Sequence, residues 1–93
     1  MIKAELIQKE EISYLRFPGD DVLNDEQKKE DRYIFLQYAM RYGNTLRQKV
    51  KIYFKDTAET RLVETTVWYA DDKYAILKSG IALPVKRIIA IEI

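Results

Sequence analysis

Hydrophobic and polar positions alternate with period two over Lys49–Lys55. Val50, Ile52 and Phe54 fall on one side, and Lys49, Lys51, Tyr53 and Lys55 on the other. Successive side chains of an extended chain point to opposite faces, so this is the pattern of a half-buried strand, predicted over about 47–55. A second run over 61–70 is dense in β-branched and aromatic residues: Leu62, Val63, Thr65, Thr66, Val67, Trp68 and Tyr69. Both of its faces are partly apolar, as in a strand that bends across a barrel. Asp71-Asp72-Lys73 and Ser79-Gly80 read as turns around a short strand, Tyr74 to Lys78. A further strand is predicted from Ile81 to Lys86, where Pro84 lacks a ladder donor and calls for an edge or a bulge. Lys86-Arg87 makes a tight corner, and Ile88 to Ile93 forms an apolar last strand.

Upstream the period changes. Phe35, Ala39 and Tyr42 recur at i, i+4, i+7, with Leu36 and Met40 beside them, so a helix over about 25–42 should lay this stripe on the sheet. Asn24 with Gln27 has capping-box spacing, Asp25 and Glu26 suit the positive helix end, and Gly43-Asn44 marks the stop. The first half of the helix, DEQKKEDR, reads as solvated. Residues 2–17 are ambiguous. Ile2, Ala4 and Leu6 alternate, as do Ser13, Leu15 and Phe17, which favours strands joined through Gln8–Glu11. Glu5 and Lys9 at i,i+4 support a helix as the rival. Pro18-Gly19 before Asp20-Asp21 is a turn.

The expected fold is therefore mainly β with one helix. A small, strongly bent antiparallel sheet or barrel occupies 46–93, a helix packs on it, and residues 1–24 form an extension with extra strands at about 2–17. Ninety-three residues make a single domain.

Composition narrows the chemistry more than it defines it. Hydrophobic residues are 47% of the chain and charged residues 33%, the balance of a globular domain rather than a disordered one. The chain has no cysteine and no histidine. That removes disulfides, thiol nucleophiles, the commonest metal ligands and the commonest general base. Asp20-Asp21 and Asp71-Asp72 are adjacent pairs, which on extended chain point apart and in turns bond the local backbone. No phosphate-binding glycine motif or calcium loop occurs. The expectation is a non-enzymatic protein with no metal and no cofactor. No apolar run approaches the length of a membrane span, and the first residues are too charged for a signal-peptide core, so a cytoplasmic location is expected. Net charge is +1, yet residues 1–45 carry 7 basic against 9 acidic side chains and residues 46–93 carry 9 against 6. The basic excess sits on the β-rich part, as strand-edge solvation or as a footprint for an anionic partner.

One helix followed by five short strands with a tight corner before the last resembles the Sm-like small barrels. Val50-Lys51-Ile52-Tyr53-Phe54 is similar to the first-strand V-x-I-Y-L run of the bacterial Sm-like family Hfq. Asp72-Lys73-Tyr74-Ala75-Ile76-Leu77 resembles that family's D-x-aromatic-x-I-L turn into the third strand. Val85-Lys86-Arg87 resembles its aromatic-Lys-His turn into the fifth. Rof-like proteins, which share the barrel and act on the termination factor Rho, have a similar layout. The match covers about residues 46–93. Four features depart from it: no glycine occurs in Arg61–Ala70, none occurs in the turn Asp56–Thr60 after the first strand, Arg87 replaces the histidine, and Ala75 lies near the place of the base-pocket asparagine.

The resemblance implies RNA held by the loops after the second and fourth barrel strands. Lys73, Tyr74, Lys86 and Arg87 are then candidates, with Asp72 beside them. Tyr74 would stack on a base and the cations would meet phosphate. Lys49, Lys51 and Lys55 with Tyr53 form a second basic–aromatic face. The alternative is a protein-interaction or assembly module acting on a larger machine. Its last strand, through Ile88, Ile89, Ile91 and Ile93, would pair with a neighbouring subunit in a homo-oligomer.

Overall fold

The computed structural model describes residues 2–93. The alternation predicted as a strand over about 47–55 forms one from Val50 onward, because the preceding helix runs on to its cap at Arg47. Strand β2 spans Val50–Lys55, with Val50, Ile52 and Phe54 buried and Lys51 and Lys55 exposed. It is central to its sheet. β3 (Thr60–Thr65) lies antiparallel on one side and β7 (Ile88–Glu92) antiparallel on the other. β1 (Glu5–Leu6) adds to β3 in parallel, giving the order β1-β3-β2-β7. β4 (Val67–Ala70), β5 (Tyr74–Leu77) and β6 (Ala82–Pro84) form a separate antiparallel sheet of three. The architecture is thus seven strands in two sheets with one α-helix, and the described ladders do not close into a ring.

The expected second strand is one path broken at Thr66, where the chain leaves the first sheet and enters the second. The bend needs no glycine. The register between β4 and β5 shifts between Val67 and Tyr69, the signature of a bulge, which increases local twist. Both Trp68 and Tyr69 are exposed as a result, while Val67 and Ala70 are buried. β6 is an edge strand and accommodates Pro84, as its missing donor requires. The corner after it is a 3-10 turn over Val85–Arg87.

Helix α1 spans Glu26–Leu46, later at both ends than its sequence signals. Asp25, not Asn24, is the N-cap; its carboxylate accepts from Gln27 N at 2.9 Å. Gly43 does not stop the helix. A Cβ there would stand 2.8 Å from Thr66 Cγ2 and still closer to the Val67 carbonyl oxygen. The glycine lets α1 approach β4, and the turn of helix continues past it to Arg47, which takes the left-handed C-cap conformation at φ 54°. The buried helix face is Arg32, Leu36, Ala39 and Gly43; of the predicted stripe Leu36 and Ala39 are buried, Met40 and Tyr42 half-buried, and Phe35 is turned out at 43% exposed. Arg32 reaches inward from the stretch read as solvated. Its guanidinium donates to both oxygens of Asp21, at 2.9 and 2.8 Å, and to the Ile88 carbonyl at 3.1 Å.

Residues 2–17 are not a hairpin. After the two residues of β1 the chain forms a 3-10 helix over Lys9–Tyr14, closed at its start by Glu11, whose carboxylate accepts from Gln8 N. Ile7 and Ile12 enter the core with Leu36, Ala39, Phe54, Leu77, Leu83 and Ile88. The extension is therefore part of the core, which a chain this short needs.

Candidate nucleic-acid interface

The turn between β4 and β5 is built by Asp71. Its carboxylate accepts from Lys73 N and Tyr74 N, each at 2.8 Å, and these backbone bonds hold its pKa below the ordinary carboxylate value. The side chain closes the turn locally, as aspartate does where the chain reverses. Lys73 and Tyr74 are thereby fixed at its exposed rim, with Tyr74 48% exposed. Tyr74 lies opposite Pro84 in the ladder, and Val85 N donates to the Lys73 carbonyl at 2.9 Å. This brings the turn containing Lys86 alongside.

The loop between the 3-10 helix and α1 supplies the other wall. Thr57 N donates to the Arg16 carbonyl, Val22 N donates to the Lys86 carbonyl, and Phe17 packs at 6.0 Å, ring centre to ring centre, on Phe54. The result is a cleft of about 380 Å³ lined by Phe17, Pro18, Gly19, Asp72, Lys73, Tyr74, Pro84 and Lys86. Three predicted residues, Lys73, Tyr74 and Lys86, meet here. Phe17 and Pro18 were visible in the sequence only as a strand end and a turn; no sequence pattern linked them to residues nearly 60 positions away.

Arg87 does not belong to this surface. It is 4% exposed, and its guanidinium donates to the Lys55 carbonyl at 3.0 Å, the Asp20 carbonyl at 2.9 Å and the Asp20 carboxylate at 3.1 Å. Its role is to tie the 16–23 loop to the sheet, so as a phosphate contact it is corrected. The corner read as one basic unit splits into a surface lysine and a buried arginine.

The face of β2 is also less basic than its sequence. Lys51 lies directly opposite Glu64 on one side and Glu92 on the other. Opposite charges at cross-strand positions attract, so Lys51 has two carboxylates as its nearest neighbours. Tyr53 is half-buried between Leu62 and Ala90. Lys49 stands at the far end, away from the Lys73 turn. It lines a different cleft, of about 390 Å³, with Arg47, Trp68 and Lys78. Lys73 and Lys78 flank β5 at its two ends, so the two clefts sit at opposite ends of the β4–β5 hairpin.

The last strand divides similarly. Ile88 and Ile91 are buried in the core, Ile89 is half-buried and Ile93 is 51% exposed. β7 pairs with β2 on one edge, and no described strand covers the other. Beside that edge, between β7 and α1, an apolar cleft of about 410 Å³ is lined by Ile2, Leu23, Phe35, Ile89, Ala90 and Ile91, with Lys28, Asp31 and Arg32 at its polar side.

Two carboxylates are structural, Asp56, which is buried, and Asp21, which is half-buried. Asp56 is 2% exposed. Burial, the largest influence, pushes its pKa up, but bonds from Glu59 N and Ala58 N (2.7 Å each) and Arg61 Nε (2.9 Å) outweigh it and the pKa falls. Arg61 also pairs with Glu59 and Glu5, and Asp56 above all raises its pKa. Asp21 is held low chiefly by Arg32. Among the described residues no cluster of three or more carboxylates is placed to hold a metal ion, and no helix is long and apolar enough to cross a membrane.

No family model, curated protein or solved structure matches the chain.

Proposed function

We propose that this protein is a non-enzymatic small-barrel module of Sm-like type that binds single-stranded RNA at the Lys73–Tyr74–Lys86 cleft. The observation that carries the reading is the convergence of those three residues, distant in sequence, on one cleft beside Phe17 and Pro18. An exposed tyrosine between two lysines offers a stacking platform with phosphate contacts beside it, the combination that single strands require. The order of elements supports the architecture. A helix precedes β2, a bent β3–β4 path, β5, β6 and, after a 3-10 turn, β7, and the first strand of this set pairs with its last.

The test is a binding titration with a short single-stranded RNA over a series of salt concentrations. Two lysine–phosphate contacts give a log–log salt slope of about −1.4. Tyr74→Ala should weaken binding roughly five- to 160-fold, the range of a lost base stack. Lys86→Ala should lower the slope by about 0.7. Absence of salt-sensitive binding at low ionic strength overturns the reading.

A second reading, assembly through β7, is favoured by its strand-free edge beside the apolar cleft. Edge strands of this kind pair or are covered. Light scattering after size-exclusion chromatography decides it. An oligomer that Ile89→Glu dissolves supports pairing at this edge, and a monomer at every concentration refutes self-assembly.

A further inference from the structure

The cleft at the opposite end of the β4–β5 hairpin carries more positive charge than the one above. It is lined by Gly43, Asn44, Arg47, Lys49, Thr66, Trp68 and Lys78. Three cations meet there from three separate elements: the C-cap of α1, the residue before β2 and the residue after β5. No carboxylate lines the cleft, and none of the three cations is salt-bridged among the described residues. Three like charges repel one another, so grouping them costs stability unless something neutralises them.

The cleft is built rather than incidental. The bulge in β4 turns Trp68 outward, leaving it 47% exposed. Asn44 Nδ2 donates to the Trp68 carbonyl at 3.1 Å, and Lys78 N donates to the Thr66 carbonyl at 3.0 Å. These bonds tie the helix end, the bulged strand and the β5–β6 turn to one another. Backbone strain gathers at the same place. Among the described residues the non-glycine positions with left-handed φ are two: Arg47, at 54°, and Ser79, at 71°, next to Lys78. Glycine is the ordinary residue for such a C-cap, and arginine there forgoes the relief glycine would give. Strained non-glycine backbone concentrates at ligand sites.

From this juxtaposition we infer that the Arg47–Lys49–Trp68–Lys78 cleft is a nucleotide-binding site, taking a planar heteroaromatic base on Trp68 and a phosphate among the three cations. The carbonyls at the end of α1 oppose an anion, so the cations must supply the attraction. A cation cluster beside an indole matches a phosphate linked to a flat ring and matches neither a bare hydrocarbon nor a cation. The ligand is a free mononucleotide or one nucleotide of a strand. As regards a strand, the inference rests on the reading above that the protein binds single-stranded RNA, and not on which of the two clefts holds it.

Trp68 is the single tryptophan of the chain, so its fluorescence reports on this cleft directly. The experiment titrates the full chain at low salt with adenosine monophosphate, adenosine, inorganic phosphate and an oligonucleotide of about eight residues. Quenching by the monophosphate at much lower concentration than by adenosine, reversed by salt, identifies a mononucleotide site. Quenching by the oligonucleotide alone identifies a strand site. In either case Lys49→Ala and Lys78→Ala should each weaken binding about tenfold. Arg47→Gly should weaken it similarly while raising the thermal midpoint, because glycine relaxes the left-handed backbone. That pairing of lost binding with gained stability is one a purely structural role would not produce. Lack of salt-sensitive quenching by every probe overturns the inference, as does quenching that survives loss of Lys49 and Lys78. Tyr74→Ala/Lys86→Ala separates the two readings. If only this variant loses the oligonucleotide, the Trp68 cleft is refuted as a strand site. If only Lys49→Ala/Lys78→Ala loses it, the Lys73–Tyr74–Lys86 reading fails and this one stands.

Discussion

Replacing Gly43 with alanine sets two effects of opposite sign against each other. The residue lies inside α1 with ordinary helical backbone. At a solvent-facing helical position alanine would stabilise by about 1 kcal/mol relative to glycine. Gly43 instead faces β4. A methyl group there would meet Thr66 Cγ2 at 2.8 Å, the Val67 carbonyl carbon at 3.3 Å and the Val67 carbonyl oxygen closer than either. A side-chain methyl can turn aside, but a strand carbonyl cannot, so α1 must move away from β4. That movement also strains the bonds from Gln37 Nε2 to the Ala70 carbonyl (3.3 Å) and from Asn44 Nδ2 to the Trp68 carbonyl. Overpacking costs about 1–3 kcal/mol, and a clash with backbone belongs near the upper limit. Subtracting the propensity gain leaves Gly43→Ala about 2 kcal/mol less stable. For a domain of this size that lowers the thermal midpoint by roughly 8–16 °C. Urea unfolding followed by Trp68 fluorescence should show a lower midpoint at unchanged slope. Thr66→Ser in the same background should recover only the part due to Cγ2. A Gly43→Ala protein as stable as its parent, or more so, would refute the close approach of helix and strand.

Three other outcomes follow from the buried ions. Asp56 and Asp21 have depressed folded pKa values, so their contribution is present above the unfolded carboxylate value, about 3.9, and is lost as pH falls through the folded values. Asp56→Asn should lower stability at neutral pH by about 1–3 kcal/mol and flatten the decline in acid, measured by denaturation at several pH values. An acid limb unchanged in Asp56→Asn would disprove its assignment to that carboxylate. Arg87→Ala should cost about 3 kcal/mol by unpinning the 16–23 loop, whereas Lys86→Ala should stay within about 0.5 kcal/mol of the parent. Equal effects would contradict the separation of the two neighbours. Arg32→Met should destabilise more than Lys28→Met, read from the same urea curves, because only Arg32 leaves a carboxylate and the Ile88 carbonyl without their donor.

What the sequence made legible was whatever local periodicity encodes. β2 is the clearest case, since its buried and exposed residues alternate as the pattern requires. The turn at Asp71–Lys73 and the edge position of Pro84 also follow from local chemistry. The failures share one cause, which is that distant partners decided them. Gly43 looks like a helix stop until β4 is beside it, because a glycine for close approach and a glycine for a turn are the same letter. Arg32 sits in a stretch that reads as solvated because Asp21 and the Ile88 carbonyl are not its sequence neighbours. Residues 2–17 carry a short alternation that fits a strand, yet Ile7 and Ile12 are claimed by the core and the intervening chain coils into a 3-10 helix. The candidate cleft shows the same division: its lysines and tyrosine could be named in advance, and its wall at Phe17 and Pro18 could not.

The basic excess of residues 46–93 acquires a different meaning once its members are sorted by partner. Arg61 and Arg87 are spent on the fold: Arg61, half-buried, is held by carboxylates, and Arg87, buried, by carbonyls and a carboxylate. This suits arginine, whose planar fork can satisfy several acceptors at once with no loss of charge on burial. Lys51 faces two glutamates across its strand. Lys55 is exposed opposite Thr60 and lines neither cleft. The other cations left for a ligand fall into two groups at opposite ends of the β4–β5 hairpin: Lys73 with Lys86, and Lys49 with Lys78 and Arg47. A formal excess spread evenly over a strand surface would need no ligand. An excess that gathers into two clefts, each beside an exposed aromatic ring, is a different arrangement, because mutual repulsion disfavours it in the empty protein. Arg47 sharpens the contrast. Among the described residues it is the one arginine of this region whose side chain forms no ion pair, and it occupies a backbone position where glycine would be more stable. The charge that the fold does not use is thus placed where the fold bears a cost to keep it.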